Sequence, residues 1–209
     1  MWSYEKKLQY PVKIDKPNPR LAAIIISQYG GPDGELGASL RYLSQRYSMP
    51  FDELKGLLTD IGTEELGHEE MVSTIVTMLT KNLSMNEIEE SGFYQYYVDH
   101  TVGIWPQAAS GEPFSRATLQ STGDPIADLH EDMAAEQKAR STYDNILRVV
   151  RDIPEIADPI KFLRAREIVH FQRFGEAVEK TKDTLNSKNF YYFNPEFDKQ
   201  MLQKPSSTI

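Results

Sequence analysis

The apolar residues of the chain recur at three- and four-residue intervals along several segments. The clearest spans about residues 50–81, where apolar positions run from Leu58 to Leu79 along one side of a helix. A shorter segment at about 35–47 precedes it, and a break at 48–50 separates the two. The pattern therefore predicts two consecutive amphipathic helices joined by a short turn.

Two further helix starts are marked by an Asn or Asp in front of a proline. Asn18 precedes Pro19, and Asp124 precedes Pro125. A short polar cap followed by proline at the first helical position is a typical helix N-terminus. The first start opens an apolar helix that the glycine-rich segment 30–34 interrupts, and the second opens a long third helix.

A fourth helix follows the third, which ends near Val150. Pro154 and Pro159 each follow an aspartate within two residues, so each is a possible start for this helix, which ends near Asn186. These local signals alone leave both starts open.

Segment 84–123, between the second and third helices, is rich in Gly, Pro, Ser and aromatic residues. Its aromatic content predicts a long ordered connection rather than a flexible linker. Four helices with one long crossover predict an all-α fold, a ferritin-like four-helix bundle. We expect an N-terminal extension at 1–18, the bundle at 19–187 and a C-terminal tail at 188–209.

Composition narrows the function classes. The 209 residues are 40% apolar, enough for one substantial core, and the net charge of −8 disfavours nucleic acid as a partner. No apolar run approaches the roughly 20 residues that span a bilayer, and the N-terminus lacks the apolar run of a signal peptide, so we expect cytoplasmic synthesis and no membrane partner. With no cysteine, any metal must be bound by carboxylates and imidazoles.

Two of the four histidines follow a glutamate by three residues. These pairs are Glu65 with His68 and Glu167 with His170. On a helix this spacing places both side chains on one face, within reach of one metal ion. The alternative is a pair of solvated Glu/His couples, but both lie on the apolar stripe of their helix. Because a buried carboxylate costs several kcal/mol unless it is paired or bound to metal, the position favours a metal site.

Two more glutamates stand at matching distances. Glu35 lies 30 residues before Glu65, and Glu136 lies 31 before Glu167, with a turn midway in each case. Within each pair the two glutamates lie at nearly the same distance from the turn, so they meet at one height on antiparallel helices, and this match selects Pro154 as the fourth helix start. One glutamate from each of two helices plus Glu-x-x-His from each of the others is the carboxylate-bridged dimetal pattern, and these ligands suit manganese or iron.

Three further residues are candidates for contacts around the site. Tyr42 and Tyr143 each follow a glutamate, Glu35 or Glu136, by seven residues, which places them on the same face. We expect them to hydrogen-bond within the site, although both could be ordinary core tyrosines. Arg140 follows Glu136 by four residues and would balance the negative charge of the site or pair elsewhere.

The other histidines and acidic neighbours have simpler interpretations. His100 is expected in a loop, and His130 points to another face of its helix. Glu64, Glu69 and Glu70 flank the first pair. For these three a solvated face or an outer role around the site is favoured over direct ligation.

At these residues the sequence resembles the dimanganese (non-haem) catalases, and especially their short spore-coat relatives of the CotJC type. The resemblance covers about residues 15–187. It is carried by four segments that contain the candidate ligands: 28–36, 60–69, 135–136 and 165–170.

The resemblance implies disproportionation of hydrogen peroxide by two manganese ions. It implies five metal ligands: Glu35, Glu65, His68, Glu136 and His170. Glu65 would bridge the ions, whereas Glu167 would be an outer-sphere carboxylate that carries the protons of peroxide, a general-base role.

The resemblance also implies partners and leaves two other functions open. Members of the family are commonly hexamers, so a homo-oligomer is expected, assembled with other proteins into the spore coat. One alternative is a structural coat protein whose metal pair serves folding. The other is a di-iron peroxidase or ferroxidase of the same fold, with iron in place of manganese.

Overall fold

The described part of the chain, residues 3–92, 94 and 105–186 of a computed structural model, is mainly helical. Two 3₁₀ turns, Arg46–Ser48 and Arg116–Thr118, accompany the α-helices. The helices are α1 (Pro19–Ile25), α2 (Ser27–Gly30), α3 (Glu35–Gln45), α4 (Asp52–Thr80), α5 (Met85–Glu90), α6 (Pro125–Val150) and α7 (Pro154–Asn186). His100 and the predicted tail at 188–209 lie outside the described residues.

Helices α3, α4, α6 and α7 form the bundle. Helix α3 packs against α4 and α6 against α7, while contacts of α4 with α7 and of α3 with α6 close the bundle. Helix α1 also packs on α4, so the broken segment α1 to α3 occupies one position of the bundle. The predicted all-α four-helix bundle is confirmed. None of the helices in the described residues is long and apolar enough to cross a membrane.

The predicted caps determine where α1 and α6 begin. The side chain of Asn18 accepts a hydrogen bond from the backbone N–H of Leu21. The carboxylate of Asp124 accepts from the N–H groups of Ile126 and Ala127, both at 2.9 Å. These bonds satisfy N–H groups that have no partner within the helix, which stabilises each start.

The fourth bundle helix begins at Pro154, as the glutamate spacing predicts, and continues through Pro159. Pro159 has no N–H, so the second turn of α7 lacks one backbone hydrogen bond. Helix α4 begins at Asp52 without a side-chain cap and runs for 29 residues. Its first turn carries Asp52 and Glu53, whose negative charge is favourable at a helix N-terminus, and Leu54, which is buried.

The connection from α4 to α6 lies against the bundle where it is described. A Cβ atom added to Gly30 would lie 2.1 Å from the backbone N of Gln107, so only glycine permits this close approach. Further along, the buried guanidinium of Arg41 donates hydrogen bonds to the carbonyl oxygens of Leu119 and Thr118, at 2.8 and 3.1 Å. Both contacts hold the connection on the α3 side of the molecule.

Two apolar clusters fill the bundle, one on either side of a polar layer. The cluster beside the start of α4 includes Leu58, Ile61, Leu129, Phe174 and Val178. The cluster beside its end includes Val72, Ile75, Ile146, Ile160 and Leu163. On α4 and α7 the Glu-x-x-His pairs come between members of the two clusters, so their side chains are removed from water by apolar residues above and below.

Candidate metal centre

Six acidic or imidazole side chains meet in the layer between the two clusters. Helices α3 and α6 each contribute one glutamate, and α4 and α7 each contribute one Glu-x-x-His pair. The structure brings all six predicted residues together, and each exposes 2% or less of its surface. They are Glu35, Glu65, His68, Glu136, Glu167 and His170.

Glu65 lies between the two imidazoles. One oxygen, Oε2, lies 2.7 Å from Nδ1 of His68, and the other, Oε1, lies 2.6 Å from Nδ1 of His170. The two rings are nearly parallel, with an interplanar angle of 22° and centroids 5.6 Å apart. A carboxylate that faces one imidazole with each oxygen has the arrangement of a bridging ligand.

Glu35 and Glu136 stand on opposite sides of this arrangement. Oε2 of Glu35 lies 3.8 Å from Nδ1 of His68, and Oε2 of Glu136 lies 3.6 Å from Nδ1 of His170. The centre therefore contains two glutamate–histidine couples, one from α3 and α4 and the other from α6 and α7, with Glu65 shared between them.

Glu167 occupies a less symmetrical position. Its Oε1 atom lies 4.0 Å from Nδ1 of His68, farther than the 2.7 Å of Glu65. The ligand atoms of Glu65, His68, Glu167 and His170 nevertheless lie within 4.8 Å of one another. Glu167 is thus close enough to reach a bound metal pair, but it does not bridge the two imidazoles.

Tyr42 and Tyr143 donate hydrogen bonds across the bundle. The hydroxyl of Tyr42 donates to Glu136, and that of Tyr143 donates to Glu35. Burial raises the pKa of both phenols well above the ordinary value of 10.0, and the nearby carboxylates raise it further. Each phenol therefore keeps its proton and stays a hydrogen-bond donor.

The buried carboxyls and imidazoles of the centre shift one another's pKa. Burial raises the pKa of Glu35 and of Glu167 well above 4.5, and neighbouring glutamates raise both further. Burial also opposes ionisation of Glu65, but the imidazoles of His68 and His170 outweigh it and lower its pKa. Burial likewise disfavours the charged imidazoles, yet Glu65 and its neighbours raise the pKa of His68 to about 10 and that of His170 to about 12.

Several buried ligand atoms of the centre have no hydrogen-bond partner. They include Oε1 of Glu65, Oε2 of Glu136, Oε1 of Glu167 and Nδ1 of His170. Native proteins rarely leave buried polar atoms unpaired unless another group binds them. Carboxylate oxygens and imidazole nitrogens are suitable ligands for manganese and iron. The residues present therefore fit a pair of divalent metal ions.

Of the two possibilities for Arg140, the structure shows pairing away from Glu136. Its Nη1 donates to Oδ2 of Asp144 at 2.5 Å, and its Nε donates to Gln137 at 2.8 Å. Asp144 also accepts from Arg164. The guanidinium is drawn outward because its partners lie on the partly exposed surface of α6 and α7.

Glu64 lies beside the histidines, on the side away from Glu65. Its oxygens lie 3.5 Å from Nε2 of His68 and 3.2 Å from Nε2 of His170. Burial raises the pKa of this carboxyl, but His170, His68 and Arg166 outweigh it, so the net pKa is lowered. The spacing of four residues between Glu64 and His68 was the available signal in the sequence, whereas the contact with α7 had none.

The other flanking residues stay outside this arrangement. Glu70 accepts a hydrogen bond from Tyr4 of the N-terminal segment, and Glu69 is partly buried. His130 is exposed on α6. These placements agree with the outer or solvated positions expected for them.

Comparison with known proteins identifies the family. The family model described as manganese-containing catalase matches residues 1–205 of this chain. The chain belongs to the manganese-containing catalases. Within this family, the buried Glu/His group is consistent with a dimanganese centre.

Two relatives match over nearly their full length. Protein CotJC from Bacillus subtilis is 52% identical over 191 residues, which cover 91% of this chain and 100% of CotJC. A probable manganese catalase from Clostridium acetobutylicum is 34% identical over 217 aligned residues, covering 100% of this chain and 96% of that protein. The family resemblance therefore extends well beyond the ligand segments.

Solved structures agree with the fold. KatB, a manganese catalase from Anabaena, superposes with a TM-score of 0.79 at 30% identity over 87% of this chain and 81% of KatB. A second crystal structure, of wild-type KatB, gives a TM-score of 0.81 at 29% identity over 92% of this chain and 85% of that chain. The predicted ferritin-like bundle is therefore the fold of this manganese catalase family.

Proposed function

We propose that this chain disproportionates hydrogen peroxide to water and dioxygen at a pair of manganese ions. The observation that carries the proposal is the position of Glu65, with its two oxygens 2.7 and 2.6 Å from the Nδ1 atoms of His68 and His170. A buried carboxylate shared by two imidazoles fits a bridging ligand. Family membership at 34% identity to a probable manganese catalase supports the same activity.

The ligand assignment follows the two couples. Glu35 and His68 would hold one ion, Glu136 and His170 would hold the other, and Glu65 would be shared by both. The unpaired atoms Oε1 of Glu65 and Oε2 of Glu136 support this division. Tyr42 and Tyr143 orient the two terminal glutamates by donating to them from the opposite helix.

Glu167 is proposed as the proton carrier rather than a ligand. When bound, the manganese pair supplies the redox chemistry that reduces one peroxide to two waters and oxidises another to dioxygen. Glu167 carries protons one at a time from the peroxide that is oxidised to the peroxide that is reduced, and the two protons that the first releases are the two that the second needs to form two waters. Its Oε1 has no hydrogen-bond partner and lies farther from His68 than Glu65 does, which leaves it free for this exchange.

The test compares oxygen release with metal content. We expect manganese-loaded protein to release dioxygen from peroxide, measured with an oxygen electrode. Glu65→Ala should lose both metal and activity, whereas Glu167→Gln should keep two manganese ions per chain and lose most activity. Glu176→Gln is the matched control because Glu176 is exposed on the same helix as Glu167.

Two results would contradict the proposal. A fully metallated wild-type protein that releases no oxygen would refute catalase activity. Loss of metal in Glu167→Gln, as in Glu65→Ala, would instead make Glu167 a ligand and remove its role as proton carrier.

A structural role of the same centre is the second candidate. It is favoured by the 52% identity to Protein CotJC, a relative whose name specifies no enzyme activity. The six buried ionisable residues lie between two apolar clusters, so bound metal would stabilise the bundle by replacing protons in its core. Metal binding and thermal stabilisation without oxygen release distinguish this candidate from the first.

Iron is the alternative metal, with peroxidase or ferroxidase activity as its consequence. Imidazole and carboxylate ligands suit both metals, so elemental analysis of protein from its native source decides between them. A centre that holds mainly iron would replace the manganese assignment.

We also propose that the chain forms a homo-oligomer and is a component of a spore coat. The relation to Protein CotJC supports the location, and the family resemblance supports the oligomer. Light scattering of the purified protein tests the oligomer, with a hexamer expected, and fractionation of spores tests the location.

A further inference from the structure

One carboxylate faces the outer nitrogen of both histidines. Oε2 of Glu64 lies 3.2 Å from Nε2 of His170, and Oε1 lies 3.5 Å from Nε2 of His68. The two histidines belong to different helices, α7 and α4, yet their rings are nearly parallel. A single side chain therefore lies within reach of both candidate ligands on the side away from the metal-binding atoms.

Arg166 holds this carboxylate in place. Its Nε donates to Oε1 of Glu64 at 2.6 Å, and its Nη2 donates to Oε2 at 3.2 Å. Two donors of one guanidinium on two oxygens of one carboxylate define the plane of the carboxylate as well as its position. Both side chains are only partly exposed, at 19% for Glu64 and 30% for Arg166, so solvent weakens the pair less than at an open surface.

The position of Glu64 beside both Nε2 atoms bears on which nitrogen of each imidazole binds metal. A neutral imidazole binds metal through the nitrogen that lacks a proton, and the hydrogen bond of the other nitrogen decides which one that is. An ionised carboxylate only accepts hydrogen bonds. A carboxylate thus lies beside each nitrogen: Glu65 beside both Nδ1 atoms, at 2.7 and 2.6 Å, and Glu64 beside both Nε2 atoms, which have no other hydrogen-bond partner among the described residues. With metal bound at the Nδ1 atoms, Glu64 would be the carboxylate that accepts the remaining proton of each ring, at Nε2.

We propose that Glu64, held by Arg166, is a positioning residue that sets His68 and His170 in the same Nε2–H tautomer and so directs both Nδ1 atoms toward the metal pair. The inference rests on the proposed dimetal function of the centre. It adds that both ions depend on one shared carboxylate, so a change at Glu64 affects the two metal sites together.

The competing explanation is that Glu64 and Arg166 only join α4 to α7. The chain contains a matched control for it. Asp60, one turn before Glu64, pairs with Arg173 of α7 at 2.7 Å. This second pair joins the same two helices, and no contact of Asp60 with a histidine is found among the described residues.

The test uses zinc(II) as a diamagnetic probe of the full-length protein. Two-dimensional ¹H–¹⁵N spectra of the imidazole nitrogens show which nitrogen of each histidine binds metal. In wild type and in Asp60→Asn we expect both histidines to bind through Nδ1 and to carry a proton on Nε2. In Glu64→Ala we expect mixed binding modes at both histidines and an affinity for both ions that is lower by about 10–100-fold.

Glu64→Gln supplies the second variant if Glu64→Ala folds poorly. Its amide oxygen accepts a hydrogen bond from one imidazole, while its NH₂ group faces the other. One histidine should therefore still bind metal through Nδ1, and the other should change the nitrogen through which it binds. Circular dichroism of the metal-free variants confirms that each is folded before titration.

The outcomes separate this inference from the proposed function. If wild type fails to bind two metal ions, the dimetal proposal fails. If wild type binds two ions and both Glu64 variants match Asp60→Asn in affinity and in spectra, the positioning role is overturned and Glu64 is only an interhelical ion pair.

Discussion

The phenol of Tyr42 on α3 donates a hydrogen bond to the carboxylate of Glu136 on α6, 94 residues further along the chain. The reciprocal bond joins Tyr143 to Glu35. In each helix the tyrosine follows the glutamate by seven residues. Since α3 and α6 pack antiparallel, each tyrosine lies beside the glutamate of the other helix. Each half of the bundle thus holds a metal-ligand candidate of the other half.

Removing either hydroxyl should destabilise the protein. We expect Tyr42→Phe and Tyr143→Phe each to lower the free energy of unfolding of the metal-loaded protein by about 1–3 kcal/mol, because each removes a hydrogen bond to a buried carboxylate. Urea unfolding measures the change. Tyr47→Phe is the control, since Tyr47 is 80% exposed. If all three variants unfold alike, the hydroxyl bonds contribute nothing to stability.

Removing the metal should also destabilise the protein. A ligand that binds only the folded state adds about 2.7 kcal/mol when its free concentration is 100 times its Kd. We expect a chelator to lower the thermal unfolding temperature and added manganese to restore it. Glu65→Ala, which removes the carboxylate proposed to be shared by the two ions, should respond to neither treatment. A wild type equally indifferent to both would contradict a metal centre in the core.

The metal-free protein should lose stability as the pH rises. The pKa values of His68 and His170 in the folded protein are about 10 and about 12, against 6.5 for the ordinary imidazole. Their protons therefore stabilise the fold fully below pH 6.5, and this stabilisation is lost as the pH rises through about 10 and about 12. The raised pKa values of Glu35 and Glu167 act in the same direction above 4.5.

Ionisation of Glu65 changes the stability in the opposite direction with pH, because its pKa is lowered from 4.5. Its contribution is present above pH 4.5 and is lost as the pH falls below that value. Manganese competes with the protons of the imidazoles and carboxylic acids, so metal affinity should rise with pH. Urea unfolding across neutral and alkaline pH, with chelator and with manganese, should therefore give opposite trends. Parallel trends would show that the metal does not displace these protons.

The apolar layer beside the centre should carry a large share of the stability. Phe174 is fully buried and packs against Tyr42, with ring centroids 4.8 Å apart. We expect Phe174→Ala to cost about 3–5 kcal/mol in the free energy of unfolding, because it leaves a cavity in a close-packed core. Val149→Ala, at a site 55% exposed, should change it little. A similar small cost for both variants would mean that the layer is loosely packed.

Local sequence was sufficient to predict where two of the helices begin. Asn18 and Asp124 cap their helices through bonds to N–H groups two or three residues away, so neighbouring residues alone predict these starts. The choice of Pro154 over Pro159 needed a longer argument from the equal distances of Glu136 and Glu167 to the turn between their helices. The path of the connection was not predictable, because the close approach of Gln107 to Gly30 joins residues far apart in sequence.

The sequence by itself predicted which six residues meet in the buried layer. A spacing of three on one helix and equal distances to each turn are consequences of helix geometry, which is the same in any bundle. Only the tertiary structure decided the partners of Tyr42 and Tyr143, the outward position of Arg140 and the place of Glu64 between two histidines. These contacts depend on the relative register and rotation of packed helices, which side-chain packing across the bundle sets and no local spacing encodes.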